Sequence, residues 1–341
     1  MLQVKVNLPL KNFVLDVELT VEQGLILGVY GPSGAGKSSL LAAINGISSG
    51  QSITNNQLNL AALSPDKRGI CLQLQACPLF PHLNVLGNLN FACKHRPKNN
   101  NQLTLDEIVS LLGVADLLDR EVGSLSGGEQ QRVVFARTLL LGQSIILLDE
   151  PFSALDWHKK QRLLSAVKYL AKYKNITFII VSHSLQELSY CADKLLQLNQ
   201  GKVTRLGDTD VVSQHINNEQ GTTHFSFINF QQPSPLPEYN LTKVTLKHSK
   251  QALYLNQFDD RNSYKICVTA NDISVSTEPE KNSSCINTLH CTFVTGELQR
   301  HEVLLHLDVD GQTLLCSVNP LAWQQLALIA GQTVYAQLYS I

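Results

Sequence analysis

Gly31-Pro32-Ser33-Gly34-Ala35-Gly36-Lys37-Ser38 constrains this chain more than any other stretch. It fits the pattern G-x-x-x-x-G-K-[ST], a phosphate-binding loop that needs a strand leading in and a helix leading out. Both neighbours are legible. Leu25–Tyr30 is a short apolar run that reads as a buried strand, and Ser39–Asn45 reads as a helix ending near Gly46. Gly31, Gly34 and Gly36 let the backbone turn its N–H groups inward at a helix N-terminus, a ready anion site. Lys37 is expected to reach the outer phosphates of a nucleotide, and the Ser38 hydroxyl to bind Mg²⁺.

The rest of the first two-thirds of the chain supplies the sheet such a loop requires. Ser144–Asp149 and Asn175–Ser182 are apolar without alternation, as strands of a parallel sheet covered on both faces must be. Helical patterns at Glu129–Leu141 and His158–Tyr173 lie between and before them, so strand and helix alternate in an α/β fold. Residues 2–30 alternate as strands of a small sheet. Residues 46–69 are polar and turn-rich and read as surface connections. Ile70–Leu74 is the next strand, closing at Gln75, and Asn84–Leu118 is helical apart from a polar loop at Lys94–Gln102.

Near residue 220 the helical patterns stop. The Pro-rich run Gln231–Pro237 places a linker at 229–240 between a first domain, 1–228, and a second, 241–341. In the second, Lys243–Leu246, Ala252–Leu255, Tyr264–Val268, Glu302–Val309 and Thr313–Val318 alternate as short strands of an all-β domain. Asp310-Gly311 between the last two marks a hairpin turn.

Composition excludes several classes. Among 341 residues, 27 basic and 28 acidic side chains leave a net charge of −1, so nucleic acid is not expected as a partner. No apolar stretch reaches the ~20 residues of a membrane-spanning helix. Met1–Val6 alternates like a strand and lacks the pattern of a signal peptide. Eight cysteines include no Cys-x-x-Cys pair and are expected to be reduced core thiols, so a cytosolic chain is expected.

Four further motifs follow the loop in order: Gln75 ahead of Pro78–His82; Leu125-Ser126-Gly127-Gly128-Glu129-Gln130 opening a helix; Ile145–Leu148 ending in Asp149-Glu150, then Ser153–Asp156; and Ile179–Ser182 ending in His183. With these the chain resembles the ATP-binding subunits of ABC transporters over about residues 1–225, the run from Leu125 to Gln130 being the family's signature. Asp149, ending an apolar strand opposite Ser38, suits a hard cation that wants oxygen ligands. Glu150 is placed to orient or deprotonate the attacking water. The resemblance further implies that His183 contacts the γ-phosphate and that Gln75 touches Mg²⁺ or the water and senses a membrane subunit. Ser126, Gly127, Gly128 and Gln130 form a second anion site that caps the ATP held by another copy of the chain, and Asp156 couples the two sites. The family's adenine-stacking aromatic is matched by Phe13, at shorter spacing than usual. Translation ATPases of the superfamily carry two cassettes, and chromosome-maintenance ATPases separate loop and signature by a long coiled coil; this chain does neither.

For the cargo, Pro78–His82 with Asn84–Leu89, and Val181–Leu188, resemble the corresponding segments of molybdate importers. Thr269–Thr277, Ser283–Asn287 and the hairpin running to Tyr335–Leu338 resemble the small OB-like barrel of the Mop or TOBE type found in that family. The resemblance implies an ATPase at the cytoplasmic face of the inner membrane, working as a homodimer with two transmembrane permease subunits. A periplasmic or extracellular molybdate-binding protein would deliver the cargo, with sulfate, tungstate or a sugar as alternatives. Ser283, Ser284 and Asn287 are candidate ligands for molybdate in the C-terminal domain, where hydroxyls and N–H groups suit a tetrahedral oxyanion. Relatives often carry a basic residue where this chain has Ile286. A molybdate-responsive regulator is the alternative of another class; no helix-turn-helix or basic face supports it.

Overall fold

The computed structural model describes residues 1–47, 51–56, 58–97, 103–220, 224–247, 249–256, 265–279, 284–299 and 301–339. The chain divides into two compact units, Met1–Gln214 and His215–Ile341.

In the first unit, ten described strands form one sheet. Its parallel centre runs in the order Lys194–Asn199, Ile26–Tyr30, Thr177–Val181, Ile145–Asp149, Ile70–Gln73, the first of these also pairing antiparallel with Lys202–Asp208. Every residue of Thr177–Val181 and of Ile145–Asp149 is buried. This is what non-alternating apolar strands produce when helices cover both faces. Leu2–Pro9 and Val14–Val21 extend the sheet as an antiparallel pair with one buried face, Leu2, Val4 and Val6 inward and Gln3, Lys5 and Asn7 outward.

Residues 46–69 are more than surface connection. Gln51–Asn55 is a strand paired antiparallel with Leu2–Val6. Ile53 carries it into the core, fully buried, while Ser52 is exposed, so its composition reads as a loop although its backbone joins the sheet.

The expected linker is also built differently. Phe225–Leu236 is one strand whose first half pairs with Lys265–Thr269 and whose second half pairs with Leu241–Leu246. The register shifts between Gln231 and Ser234, and Gln232 adopts a φ of +53°. A bulge is where a strand tolerates a residue without a ladder N–H, so Pro233 fits there, while Pro235 lies beyond the shift in register with Thr242. The division between units falls ahead of this segment. The second unit holds a four-stranded and a five-stranded sheet around the core of Ile228, Phe230, Val244, Leu253, Leu289, Phe293, Leu305, Leu307 and Cys316. It is not wholly β: Pro320–Leu326 is a short helix capped by the Asn319 side chain, with Trp323 lying across Gly296. The Asp310-Gly311 turn has φ of +51° and +85° between the paired strands Val303–Val309 and Gln312–Val318, the two left-handed residues of a type I′ hairpin.

No described helix is long and apolar enough to cross a membrane. All eight cysteines are free thiols, four of them buried and four half-buried.

A phosphate loop, two strand-end acids and an exposed histidine

Ile26–Tyr30 delivers the chain into the loop and Lys37–Asn45 carries it away as a helix. Gly34 and Gly36 take φ of +79° and +103°, which L side chains rarely adopt, and Gly36 is the N-cap residue. Helix Lys37–Asn45 therefore has no side-chain cap, and its first N–H groups stay available to an anion. Lys37 is 8% exposed and folds back along the loop, its Nζ donating to the carbonyls of Gly31 at 2.7 Å and Pro32 at 2.9 Å. Burial pushes its pKa down, opposed by the carboxylates of Glu150 and Asp149.

Asp149 ends the buried strand Ile145–Asp149, 6% exposed. Burial raises its pKa, while the hydroxyl of Ser38 donates to it and pulls the other way. An exposed serine hydroxyl meeting a buried carboxylate forms an oxygen donor pair that suits Mg²⁺. Glu150 follows with a φ of +47°, its N–H donating to Val181 O at 3.0 Å. Its Oε2 lies 2.7 Å from Nδ1 of His183. His183 sits just beyond the neighbouring strand, its side chain 65% exposed against 19% for Glu150.

Gln75 is exposed, two residues past the end of Ile70–Gln73. The segment after it is fastened by Arg137, which donates to Cys77 Sγ at 3.2 Å and Pro78 O at 2.9 Å and lies over the Phe80 ring.

Ser126 caps the helix Gly127–Leu140 in a capping box: Glu129 N donates to Ser126 Oγ at 3.4 Å, and Ser126 N to Glu129 Oε2 at 2.7 Å. Arg120 pairs with Glu129 at 3.0 Å. Gln130 donates to Leu125 O at 3.2 Å, so its amide shapes the turn before the helix. Gln131 bonds Ser153 and Ala154, tying this helix to the segment after Glu150. Asp156 caps Trp157–Lys174 and pairs with Lys159 at 2.7 Å.

The geometry thus brings together Lys37, Ser38, Asp149, Glu150 and His183. Phe13 also lies beside the loop: a Cβ on Gly36 would stand 3.3 Å from its ring. Three contributors escape sequence reading. Arg68, buried, donates to the carbonyls of Ile44, Ala61 and Leu63 and so fixes the far end of the loop's helix. Glu187 and Lys160 hold the segment that carries His183. Ser184-Leu185-Gln186-Glu187 has the S-x-x-E form of a capping box, a signal that marks Glu187 as a helix-start residue without revealing its buried partner.

In the second unit, Asn287 is not a free ligand for an oxyanion. Its Oδ1 accepts from Tyr254 N at 2.7 Å and its Nδ2 donates to Tyr254 O at 2.9 Å, so the amide replaces a ladder pair. Ser284 is exposed, and Ser283 and Tyr264 lie outside the described residues.

A model of the ABC transporter family matches residues 14–153, and a model of the TOBE domain matches residues 283–339. The molybdenum import ATP-binding protein ModC of Escherichia coli strain UTI89 is 34% identical, the match covering 100% of this chain and 99% of that one. Its counterpart from Shigella flexneri is 33% identical over the same shares. Among solved structures, a dimeric bacterial ABC transporter cassette superposes with a TM-score of 0.55 at 22% identity, covering 61% of this chain and 99% of that one. A bacterial Atm1-family ABC exporter with ATP bound gives 0.56 at 23% identity, covering 65% and 42%.

Proposed function

This chain belongs to the family of molybdenum import ATP-binding proteins of ABC transporters, and we infer that it is the ATP-hydrolysing subunit of a molybdate importer. The match along the whole chain to relatives so named carries the cargo. The Lys37–Ser38–Asp149–Glu150 cluster at the glycine loop, with Lys37 and Asp149 buried and Ser38 open to solvent, supports the chemistry.

In this reading, the loop N–H groups and Lys37 bind the β- and γ-phosphates of ATP. Ser38 and Asp149 would hold Mg²⁺, with Gln75 completing the set. When bound, the ion neutralises charge on the phosphate oxygens. Glu150 accepts a proton from the attacking water, or orients it, and His183 takes its direction from the Glu150 carboxylate and reaches the γ-phosphate. Gln75 and the Arg137-fastened segment after it face two permease subunits at the cytoplasmic side of the inner membrane. Ser126, Gly127, Gly128 and Gln130 cap the nucleotide of a second copy. A separate binding protein delivers molybdate, and the C-terminal unit, from about His215, is a regulatory or dimerising appendage.

The test is molybdate uptake in cells lacking the chain, with sulfate as competitor. The native chain restores uptake at low molybdate and Glu150→Gln does not, although the purified variant still binds ATP. Uptake restored equally by Glu150→Gln would overturn the mechanism. Restored uptake that sulfate abolishes would overturn the cargo.

A further inference from the structure

Beside the phosphate site lies a buried ion pair that the reading above does not use. Lys160 Nζ and Glu187 Oε1 are 2.6 Å apart, their side chains only 17% and 8% exposed. A pair this buried is a poor source of stability, because removing two charges from water offsets their attraction. Its hydrogen bonds say what else it does. The second oxygen of Glu187, Oε2, accepts from the hydroxyl of Ser182 at 2.8 Å. That same hydroxyl accepts from Ser184 N at 3.0 Å. Ser182 N in turn donates to Val29 O at 3.3 Å, on the strand that enters the phosphate loop.

His183 is the residue between the two serines. With 65% of its side chain exposed, little packing fixes its ring, and its direction depends on the backbone that carries it and on the hydrogen bond to Glu150. That backbone is gripped on both sides by one buried hydroxyl, which one buried carboxylate holds. Lys160 anchors the carboxylate from the helix Trp157–Lys174, whose cap is Asp156, and Lys160 N donates to Asp156 O at 2.9 Å.

We propose that Glu187, anchored by Lys160, is a positioning residue for ATP hydrolysis: it clamps the Ser182–Ser184 turn so that His183 meets Glu150. The proposal rests on the assignment of His183 and Glu150 given above. Lys37 and the loop are untouched by the clamp, so its loss slows the chemical step and leaves nucleotide binding as it was. An error of about 1 Å in a reacting group costs on the order of 100-fold in rate, which sets the scale of the expected loss.

The experiment uses the purified full chain and reads kcat and KM for MgATP, the affinity for ADP, and the thermal midpoint. Glu187→Gln and Ser182→Ala are expected to lower kcat roughly 10- to 100-fold with KM and ADP affinity unchanged. The double variant Lys160→Met with Glu187→Met separates position from stability. Replacing a buried pair by apolar side chains commonly preserves folding, so its midpoint is expected to stay near the native value while kcat stays low. Native kcat in the double variant and in Ser182→Ala would refute the clamp. So would a loss of kcat matched by a rise in KM and a fall in midpoint, which marks a structural pair only. His183→Ala and Glu150→Gln are run alongside. If those two keep native turnover, the catalytic assignment itself fails; if they lose it and the clamp variants do not, only the clamp fails.

Discussion

Gly31→Ala tests how tightly the phosphate loop rests on the sheet. Gly31 lies outside the left-handed region, so alanine can adopt its backbone without strain. The obstacle is space: a Cβ built there would stand 2.1 Å from the backbone oxygen of Leu198, on the adjacent strand. A carbon–oxygen contact needs about 3.3 Å, so loop and strand must part by about 1 Å. The Leu198 carbonyl belongs to the sheet and moves little, so the loop shifts. Gly31 O is one of the two acceptors that hold Lys37 Nζ, and a shift there carries the ammonium with it. A displacement of that size costs on the order of 100-fold in kcat/KM, or about 2.7 kcal/mol. Gly34→Ala is the control. It has nothing within 4 Å of a Cβ but a φ of +79°, so it brings conformational strain of about 1–2 kcal/mol without collision. Steady-state MgATP hydrolysis by the full chain, with ADP binding by calorimetry, reads both. The reasoning fails if Gly31→Ala keeps native kcat/KM, or if Gly34→Ala is the more damaging of the two.

Three further outcomes follow from single residues. Arg68→Ala removes the donor from the carbonyls of Ile44, Ala61 and Leu63. It is expected to lower stability by roughly 2–4 kcal/mol in denaturant unfolding, with Arg68→Lys recovering only part because an ammonium cannot span three acceptors. Burial pushes the thiols of Cys71, Cys191, Cys291 and Cys316 up to about 12. Iodoacetamide at pH 8 should therefore spare the buried Cys191, Cys291 and Cys316 in the native chain while modifying the half-buried Cys93, as peptide mapping will show. Burial pushes the imidazole of His224 below its ordinary range, against the opposing pull of Glu302. An unfolded His224 takes up a proton near pH 6.5, and the folded one only at lower pH. Its contribution is complete above about pH 6.5 and is lost as pH falls below it, so the C-terminal unit's thermal midpoint should fall less steeply with acid in His224→Gln.

What was legible depended on whether chemistry and local pattern coincide. The phosphate loop, Asp149-Glu150 and His183 sit at the ends of apolar runs, where a strand must stop and a polar side chain needs a reason. The signature helix announces itself through Ser126 and Glu129, a capping box in sequence and in structure. Gln51–Asn55 was hidden because a short strand near the sheet edge, with Ile53 as its buried apolar side chain, has the composition of a loop. Phe225–Leu236 was hidden because its prolines read as a linker, whereas Pro233 sits in a bulge and Pro235 in register with Thr242, a pairing known only once the partner strands are placed. Lys160 and Glu187 were unreadable for a different reason. Their contact joins two helices distant in sequence, and each alone looks like a solvated surface charge. Asn287 shows the opposite error: a polar residue in a promising stretch had already been spent on the backbone of Tyr254.

The backbone at Glu150 explains how two adjacent acids come to serve one site. Along an extended strand successive side chains point to opposite faces, so Asp149 and Glu150 should diverge. Asp149 accepts from Ser38, which fixes its face. Glu150 nevertheless acts on the same Lys37 that Asp149 does, and reaches His183 at 2.7 Å. Its φ of +47° breaks the alternation at the last possible residue, turning the second carboxylate away from the direction the pleat would give it. A left-handed conformation costs a non-glycine residue about 1–3 kcal/mol. The bond from Glu150 N to Val181 O, at 3.0 Å, and the fully buried strand it ends, paired with the fully buried Thr177–Val181, hold it there. Glycine at 150 would remove the strain, but it would also remove the carboxylate assigned to the attacking water, so the strain cannot be relieved there without giving up that group.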